Sequence, residues 1–326
     1  VKILITAPFS DEGIALLEPY AEIERCGWGV TSEALSEDEL IAKAKSCAGI
    51  ITEVEDVMAK VIASCPELKF IGCTRAVPRT VDVEAATKAG LPVFFAPGRN
   101  AQAVTELTVL LLIGVARKVF AAEHFVQDKK WHEDGEMPYL KFRGVELADK
   151  VVGIVGLGAI GRKVAAVCQT IGAKVIAFDP YAKEGLAPDV ELCSLKEVMQ
   201  RSDFITVHCA VTPETKGLIS REMIALMKPT AFFVNTSRGV VVDEEALIEA
   251  LEAKRIGGAA LDVFTTEPLP LDSPFMKLDN CILLPHIGGA SHDVVRHHSR
   301  IVAKAIASYL KGEPVGRIAN PEVLKQ

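Results

Sequence analysis

The stretch "VVGIVGLGAIG", Val151–Gly161, joins an apolar run to a glycine-rich turn. Gly156, Gly158 and Gly161 have the spacing G-x-G-x-x-G, and the helical pattern "IGRKVAAVCQ" begins at Ile160. A strand that passes through such a turn into a helix is typical of the first βαβ unit of a dinucleotide-binding sheet. The glycines let the backbone approach a pyrophosphate, which faces the helix N-terminus. The stretch therefore predicts a doubly wound, nucleotide-binding α/β domain.

Asp179 ends the next apolar run, "KVIAF", 18 residues after Gly161. A carboxylate at this position can accept hydrogen bonds from both hydroxyls of the adenosine ribose, and it repels a 2′-phosphate. Pro180 and Tyr181, which follow it, supply no arginine that could bind such a phosphate. The expected cofactor is therefore NAD rather than NADP. The alternative is an ordinary surface aspartate at a strand end.

Apolar runs alternate with helical patterns along almost the whole chain, which predicts parallel sheets covered on both faces. The predicted strands are 3–7, 48–52, 70–73 and 93–95, followed by six more at 151–155, 174–178, 204–208, 231–235, 258–261 and 281–284. The predicted helices are 11–19, 37–45, 57–64, 83–89, 100–119, 160–169, 195–202, 220–227, 244–253 and 291–310. The fold class is therefore α/β, with two Rossmann-like doubly wound parallel-sheet domains.

The domain boundaries follow from this order of elements. Residues 100–291 form the predicted NAD-binding Rossmann domain, because six strands complete a doubly wound sheet. Residues 1–99 and 292–326 form a discontinuous, flavodoxin-like substrate domain, to which the C-terminal segment returns. The nucleotide domain is thus inserted in the substrate domain.

Composition excludes several functional classes. The 326 residues carry 36 basic and 43 acidic side chains, a net charge of −7, with no basic stripe, so we expect no nucleic-acid partner. The eight cysteines are scattered and form no C-x-x-C pair, which favours reduced thiols in a cytoplasmic protein and no metal site. The N-terminus has no signal-peptide pattern, and the most apolar segment, 107–116, is too short to span a bilayer, so no membrane association is expected.

Three chemically active side chains follow predicted strands of the second domain. They are Arg238 in "NTSRG", Glu267 in "LDVFTTEP" and His286 in "LLPHIGG". In doubly wound sheets, ligands bind outside the carboxyl ends of the strands. A single histidine in such a place is often only a satisfied core residue, but three such strand ends are difficult to explain by packing.

These segments resemble the D-isomer specific 2-hydroxyacid dehydrogenase family, which includes D-lactate, hydroxypyruvate/glyoxylate and 3-phosphoglycerate dehydrogenases. The resemblance covers nearly the whole chain. Its motifs are "VDVEAATKAGLPV", "PGRNAQAVTEL", "VGIVGLGAIGR", "TPETKGLI", "FFVNTSRGVVVDEEAL", "GAALDVFTTEP" and "LLPHIGGAS". It implies an NAD-dependent oxidoreductase that transfers a hydride between the nicotinamide and C2 of a D-2-hydroxy acid or 2-oxo acid.

The resemblance also implies a catalytic set. His286 would be the general acid/base, since an unperturbed imidazole titrates at about pH 6.5. Glu267 would orient its ring and stabilise the imidazolium. Arg238 would bind the substrate carboxylate with a planar fork that lysine cannot copy.

The resemblance assigns a larger group of residues to the cofactor. These are Gly156, Gly158, Ala159, Ile160, Gly161, Asp179, Cys209, Ala210, Thr215, Thr236, Ser237, Arg238, Asp262, His286 and Gly288. Asp262 in particular would accept a hydrogen bond from the carboxamide. His208 is expected only to pack nearby, and His297 and His298 are expected at the surface or an interface.

The substrate loop departs from the family pattern. In "CTRAVPRTVD", Ala76 and Val77 replace glycines, with Arg75 and Arg79 on either side. The backbone N–H groups of Ala76 and Val77 can still bind a carboxylate. Either arginine could bind a second anionic group of the substrate, or it could be a solvated charge in the loop. Asn100 could contact the substrate or cap the helix that begins at Ala101. Arg238 completes the expected substrate-binding set.

Two other functions remain open at this point. One is a non-catalytic NAD-sensing interaction protein, similar to the C-terminal-binding corepressors of the same fold. The other is a phosphite dehydrogenase, and substrate turnover would discriminate among the three. By resemblance, the small-molecule substrate would be the principal partner, and a homodimer would form through the Asn100–Val119 helix and the arm near Trp131 and His132.

Overall fold

A computed structural model describes residues 1–132, 135, 137–183, 185, 187–316 and 318–325. The chain divides into two compact units. Unit 1 is Val1–Asn100 with Ser291–Gln326, and unit 2 is Ala101–Ala290. None of the helices described in either unit has the length and apolar character needed to cross a membrane.

The elements follow one another in a regular strand–helix order. Residues 1–100 contain β1 (Lys2–Ile5), α1 (Asp11–Leu17), β2 (Glu22–Arg25), α2 (Trp28–Thr31), α3 (Glu37–Ala44), β3 (Gly49–Thr52), α4 (Ala59–Ser64), β4 (Phe70–Cys73), α5 (Val83–Lys88) and β5 (Val93–Phe94). Residues 101–290 contain α6 (Ala101–Ala116), α7 (Val119–Gln127), α8 (Pro138–Lys141), β6 (Val151–Val155), α9 (Ala159–Thr170), β7 (Lys174–Phe178), β8 (Val190–Leu192), α10 (Leu195–Arg201), β9 (Phe204–Val207), α11 (Arg221–Ala225), β10 (Phe232–Asn235), α12 (Glu244–Glu252), β11 (Gly258–Leu261) and β12 (Cys281–Leu283). The last helix, α13 (Asp293–Leu310), returns to unit 1, and short 3₁₀ turns lie at Lys130–His132, Gly239–Val241, Pro274–Lys277 and Pro321–Lys325.

Unit 1 is a five-stranded parallel sheet in the order β2-β1-β3-β4-β5. This is the strand order of a flavodoxin-like sheet. The edge strand β2 was not predicted from the sequence. Its four residues, "EIER", alternate charge with apolar character, as exposed edge strands often do, and they contain no apolar run.

Unit 2 is a parallel sheet in the order β12-β11-β10-β9-β6-β7-β8. The prediction of six strands was wrong by one, because β8 forms a seventh at the edge beside β7. The strand β8 has only three residues, and its central residue, Glu191, is exposed. Neither length nor periodicity therefore marks it in the sequence. The predicted α/β class with two doubly wound sheets is confirmed.

Both faces of each sheet are buried, which explains the continuous apolar runs. In β3, Ile50 and Ile51 are both fully buried but belong to different hydrophobic clusters. In β9, Phe204 and Ile205 are divided in the same way. Successive side chains of a strand point to opposite faces, so each unit has helices packed on two sides of its sheet.

The long apolar helix predicted at 100–119 is shorter in the structure. α6 ends at Ala116, Lys118 adopts a left-handed conformation with a φ of 53°, and α7 begins at Val119. The apolar pattern continues through this break, so the sequence alone indicates one helix. The Asn100 side chain makes no hydrogen bond within the part of the chain that the structure describes, so the alternative in which it caps α6 is not observed.

His298 was predicted at the surface or an interface, and that prediction was wrong. It is 1% exposed on the buried face of α13. Its Nε2 lies 2.8 Å from the Pro8 carbonyl oxygen, which can only accept, so Nε2 donates there and Nδ1 accepts from Arg99 Nη1 at 3.1 Å. Burial lowers the pKa of His298. His298 is therefore a structural residue of unit 1.

Candidate active site

Each of the three positions in the turn after β6 has its own physical reason for carrying glycine. Gly156 has a φ of +96°, and a Cβ there would lie 2.7 Å from the backbone nitrogen of Cys209. A Cβ on Gly161 would lie 2.1 Å from the Gly156 carbonyl oxygen. At Gly158, by contrast, a Cβ would meet no described atom within 4 Å, and the φ is −74°. Two glycines thus permit close packing of the turn, and the third leaves open space above it.

This difference predicts two distinct defects. Gly158→Ala should fold normally but weaken NAD binding at least about tenfold, or about 1.4 kcal/mol, because the new methyl group occupies the space that admits a pyrophosphate. Gly161→Ala should instead destabilise unit 2 by about 1–3 kcal/mol, since the methyl group overlaps backbone. Calorimetric NAD titration and urea unfolding of both variants would measure these effects. An unfolding defect in Gly158→Ala, or none in Gly161→Ala, would contradict this assignment.

The turn lies at the switch point of the unit 2 sheet. β6 is central, with β7 on one side and β9 on the other. α9 begins directly after Gly158, and no side chain caps its N-terminus. The first N–H groups of a helix have no partner within it and favour a phosphate. Together with the space above Gly158, these groups suit the pyrophosphate of a dinucleotide.

Asp179 follows β7 beside this turn. Its Oδ2 accepts a hydrogen bond from the Leu157 N–H at 2.7 Å, and its Oδ1 accepts one from the Tyr181 N–H at 2.8 Å. These contacts hold the carboxylate in place. Each oxygen retains a further lone pair, so the carboxylate can still accept from ribose hydroxyls. The position is the one that the sequence predicts for the residue that selects NAD.

His286 and Glu267 meet at the carboxyl edge of the same sheet. His286 Nδ1 lies 2.7 Å from Glu267 Oε2. Glu267 Oε1 accepts a hydrogen bond from the Phe264 N–H at 3.0 Å, so the backbone after β11 holds the carboxylate. Two residues 19 positions apart in the sequence thus form a pair that both the resemblance and the geometry support.

The electrostatics of this pair assign its protons. Burial by itself would raise the pKa of Glu267, but the hydrogen bonds from His286 and the Phe264 N–H, with the charges of His286 and Arg238, lower it overall. Glu267 is therefore ionised at neutral pH, and its oxygens can only accept. His286 must then carry a proton on Nδ1, which leaves Nε2 as the nitrogen that can exchange a proton.

Arg238 is held beside the pair by residues that the sequence analysis did not select. Asn235 is 1% exposed, its Nδ2 donates to the Arg238 carbonyl oxygen at 3.0 Å, and its Oδ1 accepts from the Ser237 N–H at 2.9 Å. A Cβ on Gly239 would lie 2.0 Å from the Phe264 carbonyl carbon. The chain around Arg238 therefore packs directly on the segment that leads to Glu267.

The charge of Arg238 remains available. Its Nη1 donates to the Ser237 carbonyl oxygen at 2.5 Å, and the described residues contain no carboxylate that forms an ion pair with it. The guanidinium is exposed, and its charge contributes to the low pKa of Glu267. An anchored, unpaired guanidinium suits an anionic ligand.

Glu244 is a further residue that the sequence analysis missed. It begins α12, and its Oε1 accepts a hydrogen bond from the Thr265 N–H at 2.7 Å, two residues before Glu267. Burial raises the pKa of Glu244, and the nearby charge of Glu267 acts in the same direction. In the sequence, Glu244 is marked only as an acidic residue in the first turn of a helix. Such a residue usually interacts with the helix dipole.

Several predicted cofactor residues use their side chains within the protein. The Thr236 hydroxyl lies 3.0 Å from Thr108 Oγ1 of α6, and the Ser237 hydroxyl donates to Asn235 Oδ1 at 2.8 Å. Thr215 Oγ1 donates to the Ala210 carbonyl oxygen at 2.6 Å and closes the loop after β9. These hydroxyls therefore shape the backbone that surrounds the site.

Two neighbouring residues after β9 are held uncharged by burial. Burial raises the pKa of the Cys209 thiol to about 11. It lowers the pKa of His208 to about 3. The Nε2 of His208 lies 3.0 Å from Thr206 Oγ1, whereas its buried Nδ1 has no partner among the described residues. As the sequence analysis expected, His208 is poorly suited to proton transfer.

The low pKa of His208 predicts an acid-sensitive fold. Below about pH 6.5 the unfolded chain binds a proton at this histidine, whereas the folded protein does so only near pH 3. Stability should therefore fall as the pH decreases through this window, by up to about 1.4 kcal/mol per pH unit for this group. Urea unfolding between pH 5 and 8 should show a shallower slope for His208→Gln than for wild type. His124→Gln, at an exposed position of α7, should keep the wild-type slope, and equal slopes in all three proteins would contradict the prediction.

The loop with Arg75 belongs to unit 1. Arg75 Nε donates to the Glu53 carbonyl oxygen at 2.6 Å, and the Arg75 carbonyl oxygen accepts from the Ala96 N–H at 2.9 Å. Val77 is 59% exposed, and Arg79 is exposed without an ion pair among the described residues. Arg75 is thus anchored at one nitrogen, whereas Arg79 is a solvated charge in this structure.

Arg99 adds a third arginine to this part of unit 1. Its Nη1 lies 2.5 Å from Glu53 Oε1 and donates to the Thr74 carbonyl oxygen at 3.0 Å. The Glu53 carboxylate therefore pairs with Arg99, whereas Arg75 donates only to the Glu53 carbonyl oxygen. The sequence analysis did not select Arg99 or Glu53, because neither was assigned a role in any motif.

Comparison with known proteins identifies the family of this chain. Residues 109–288 match the family model of the D-isomer specific 2-hydroxyacid dehydrogenase, NAD binding domain. The chain is 42% identical over its whole length to a Bacillus subtilis (strain 168) protein that carries the name 2-hydroxyacid dehydrogenase YoaD, and it spans 96% of that protein. It is 37% identical to a D-3-phosphoglycerate dehydrogenase of Methanocaldococcus jannaschii over 98% of the chain, but it spans only 59% of that relative.

A solved structure gives the same result. The TT0316 protein of Thermus thermophilus superimposes with a TM-score of 0.78 at 32% identity, over 98% of this chain and 100% of that one. The likeness thus extends across both units and is not confined to the nucleotide-binding turn. The chain belongs to the D-isomer specific 2-hydroxyacid dehydrogenase family and is an NAD-dependent oxidoreductase.

Proposed function

We propose that His286 is the general acid/base of this dehydrogenase, that Glu267 orients and stabilises it, and that Arg238 binds the substrate carboxylate. The observation that carries the proposal is the 2.7 Å contact between His286 Nδ1 and the ionised Glu267. This contact directs the other ring nitrogen, Nε2, to the substrate. A general acid/base acts best when it titrates near the working pH, as histidine does.

The protein's residues would act as follows. When bound, NAD would supply the acceptor for the hydride that leaves C2 of the 2-hydroxy acid, and NADH would supply the hydride for C2 of the 2-oxo acid. During oxidation, Nε2 of His286 takes the proton of the C2 hydroxyl, and the resulting imidazolium is stabilised by Glu267. During reduction, the imidazolium donates that proton to the carbonyl oxygen. Arg238 holds the carboxylate next to C2 by charge-assisted hydrogen bonds, which keeps the reacting carbon in place.

We propose that the residues selected in the sequence analysis around the Gly156–Gly161 turn, Asp179, and the segments 209–215 and 236–238 hold NAD. The space above Gly158 and the uncapped α9 support this assignment. Unit 2 is then the NAD-binding domain and unit 1 the substrate domain. In the same proposal, the backbone N–H groups of Ala76 and Val77, with Asn100, bind substrate.

The discriminating experiment is a turnover assay with a panel of 2-oxo acids, with NADH and NADPH compared. We expect NADH oxidation with at least one 2-oxo acid and a preference for NADH. Absence of turnover with every 2-oxo acid, together with tight NADH binding, would favour the NAD-sensing alternative. Reduction of NAD by phosphite would favour the phosphite dehydrogenase alternative.

Arg75 is the better candidate of the two loop arginines for a second anionic group on the substrate. Its guanidinium is anchored at Nε, and among the described residues of unit 1 no carboxylate neutralises it. Arg75→Ala should therefore raise KM for 2-oxo acids that carry a second carboxylate or a phosphate more than for monocarboxylates. Arg79→Ala should have a smaller effect. Unchanged KM values in both variants would refute this part of the proposal.

We also propose a cytoplasmic homodimer, formed through the α6 region and the segment near Trp131. Exposed apolar side chains support this surface, namely Leu110, Val119, Val126 and Trp131, which are 44–60% exposed. Eight free cysteines suit a reducing compartment. Sedimentation velocity of wild type and Leu110→Glu tests the assembly, and a monomer at all concentrations in the wild type would contradict it.

A further inference from the structure

The carboxylate of Asp262 binds the chain directly after His286. Asp262 follows β11 and is 1% exposed. Its Oδ1 accepts a hydrogen bond from the Ile287 N–H at 2.7 Å, and its Oδ2 accepts one from the Gly288 N–H at 2.7 Å. Both are charge-assisted bonds, which are shorter and stronger than neutral ones. The buried carboxylate is thus satisfied by the protein's own backbone.

His286 has an unfavourable backbone conformation. Its φ is 58°, in the left-handed region that residues with a Cβ rarely adopt. Such a conformation persists only where the surrounding contacts impose it. The two N–H groups bound by Asp262 belong to the next two residues, so the Asp262 carboxylate fixes the direction in which the chain leaves His286.

Gly288 completes this arrangement. A Cβ at this position would lie 2.8 Å from Asp262 Oδ2. A larger residue would push the carboxylate away from the N–H groups that it binds. A Cβ at Gly288, two positions after the histidine, would therefore force the Asp262 carboxylate to shift.

We propose that Asp262 is a positioning residue for the general acid/base. Its carboxylate holds His286 in the left-handed conformation from which Nδ1 reaches Glu267 Oε2. The inference rests on the proposed role of His286. It differs from a contact between Asp262 and the nicotinamide carboxamide, because positioning does not depend on any cofactor group and operates in the free enzyme.

The first test is Asp262→Asn, which keeps the shape and one accepting oxygen but turns an amide N–H group towards a backbone N–H. We expect kcat to fall about 100-fold, since a displacement of about 1 Å at a catalytic group has an effect of that size. KM for NADH should change less than about threefold, because the expected defect lies in proton transfer. Asp203→Asn is the matched control. Asp203 also accepts a backbone N–H bond, from Val151 at 2.9 Å, but at the amino end of β6.

The second test replaces the cofactor by its 3-acetylpyridine analogue, which lacks the carboxamide NH₂. A positioning role predicts the same loss of kcat in Asp262→Asn with NADH and with the reduced analogue. A role through the carboxamide predicts a smaller loss with the analogue and an effect mainly on cofactor KM. That second pattern would overturn the proposal.

The third test uses the free enzyme. Proton NMR should show a downfield resonance from the His286 Nδ1–H bound to Glu267, assigned by its loss in His286→Gln. We expect this resonance to be lost or exchange-broadened in Asp262→Asn and unchanged in Asp203→Asn. Gly288→Ala, which displaces the carboxylate without removing its charge, should have the same effect and serves if Asp262→Asn folds poorly.

The outcomes separate the inference from the function on which it rests. Full turnover in His286→Gln would refute the role of His286 itself. Loss of turnover in His286→Gln, with normal kcat and a normal resonance in Asp262→Asn, would refute only the positioning role of Asp262.

Discussion

Replacement of His286 by glutamine should lower kcat by about 10²- to 10⁴-fold, the usual contribution of a general acid/base. Glutamine keeps a polar side chain of similar length but cannot exchange a proton near neutral pH. NAD affinity should change only a few-fold, because the turn after β6 and Asp179 are unaltered. Steady-state NADH oxidation and calorimetric NAD binding would measure the two quantities on the same preparation.

A matched control is His124→Gln, since His124 is 72% exposed on α7. It should retain wild-type kcat. The kcat of Glu267→Gln should lie between those of wild type and His286→Gln. An amide oxygen can still accept the Nδ1–H bond, but it carries no charge to stabilise the imidazolium. Turnover of His286→Gln close to that of wild type would show that another group transfers the proton.

Replacement of Arg238 by glutamine should reduce kcat/KM for the 2-oxo acid by about 10²- to 10³-fold. Hydrogen bonds to charged groups contribute about 1.5–3 kcal/mol each, so a forked pair at the lower end of this range contributes about 3–4 kcal/mol. The guanidinium has no carboxylate partner among the described residues, so its removal leaves no unpaired protein charge behind. The loss should therefore come from substrate binding and not from misfolding.

Arg238→Lys distinguishes charge from geometry. Lysine keeps the charge but lacks the planar fork, so its kcat/KM should fall between the wild-type and glutamine values. Arg221→Gln removes an exposed arginine that pairs with Glu249, and it should leave kcat/KM unchanged. Equal kcat/KM values for Arg238→Gln and wild type would exclude Arg238 from the substrate site.

The glycine-rich turn and the strand–helix alternation could be recognised from sequence because their signals are local. Buried parallel strands are continuous apolar runs, and β4, β6, β7 and β11 begin and end where the sequence analysis placed them. The two unpredicted strands, β2 and β8, are both edge strands. Both carry charged residues at partly exposed positions, because an edge strand is only partly covered, and β8 has only three residues, so neither forms a continuous apolar run.

The three proposed catalytic residues of unit 2 could also be selected from the sequence, because each follows an apolar run and a doubly wound sheet binds its ligands at the strand ends. The hydrogen bonds that hold these residues in place could not be recognised from the sequence. Asn235, Glu244 and Asp262 act through hydrogen bonds to backbone groups of Arg238, Thr265 and Ile287. A backbone N–H or carbonyl is the same at every position, so sequence carries no mark of which one a side chain will bind.

Periodicity and the glycine spacing were thus enough to indicate the fold and the cofactor of this chain, and the resemblance to a known family indicated the catalytic residues that we propose. Only the folded structure determined the left-handed backbone of His286, the commitment of both Asp262 oxygens to the chain after it, the burial of His298, and which loop arginine is anchored. The physical reason is the distance along the chain over which each effect acts. Propensity and hydrophobic period act over a few residues, whereas these features depend on contacts between residues that lie far apart in the chain and meet only when their strands pair.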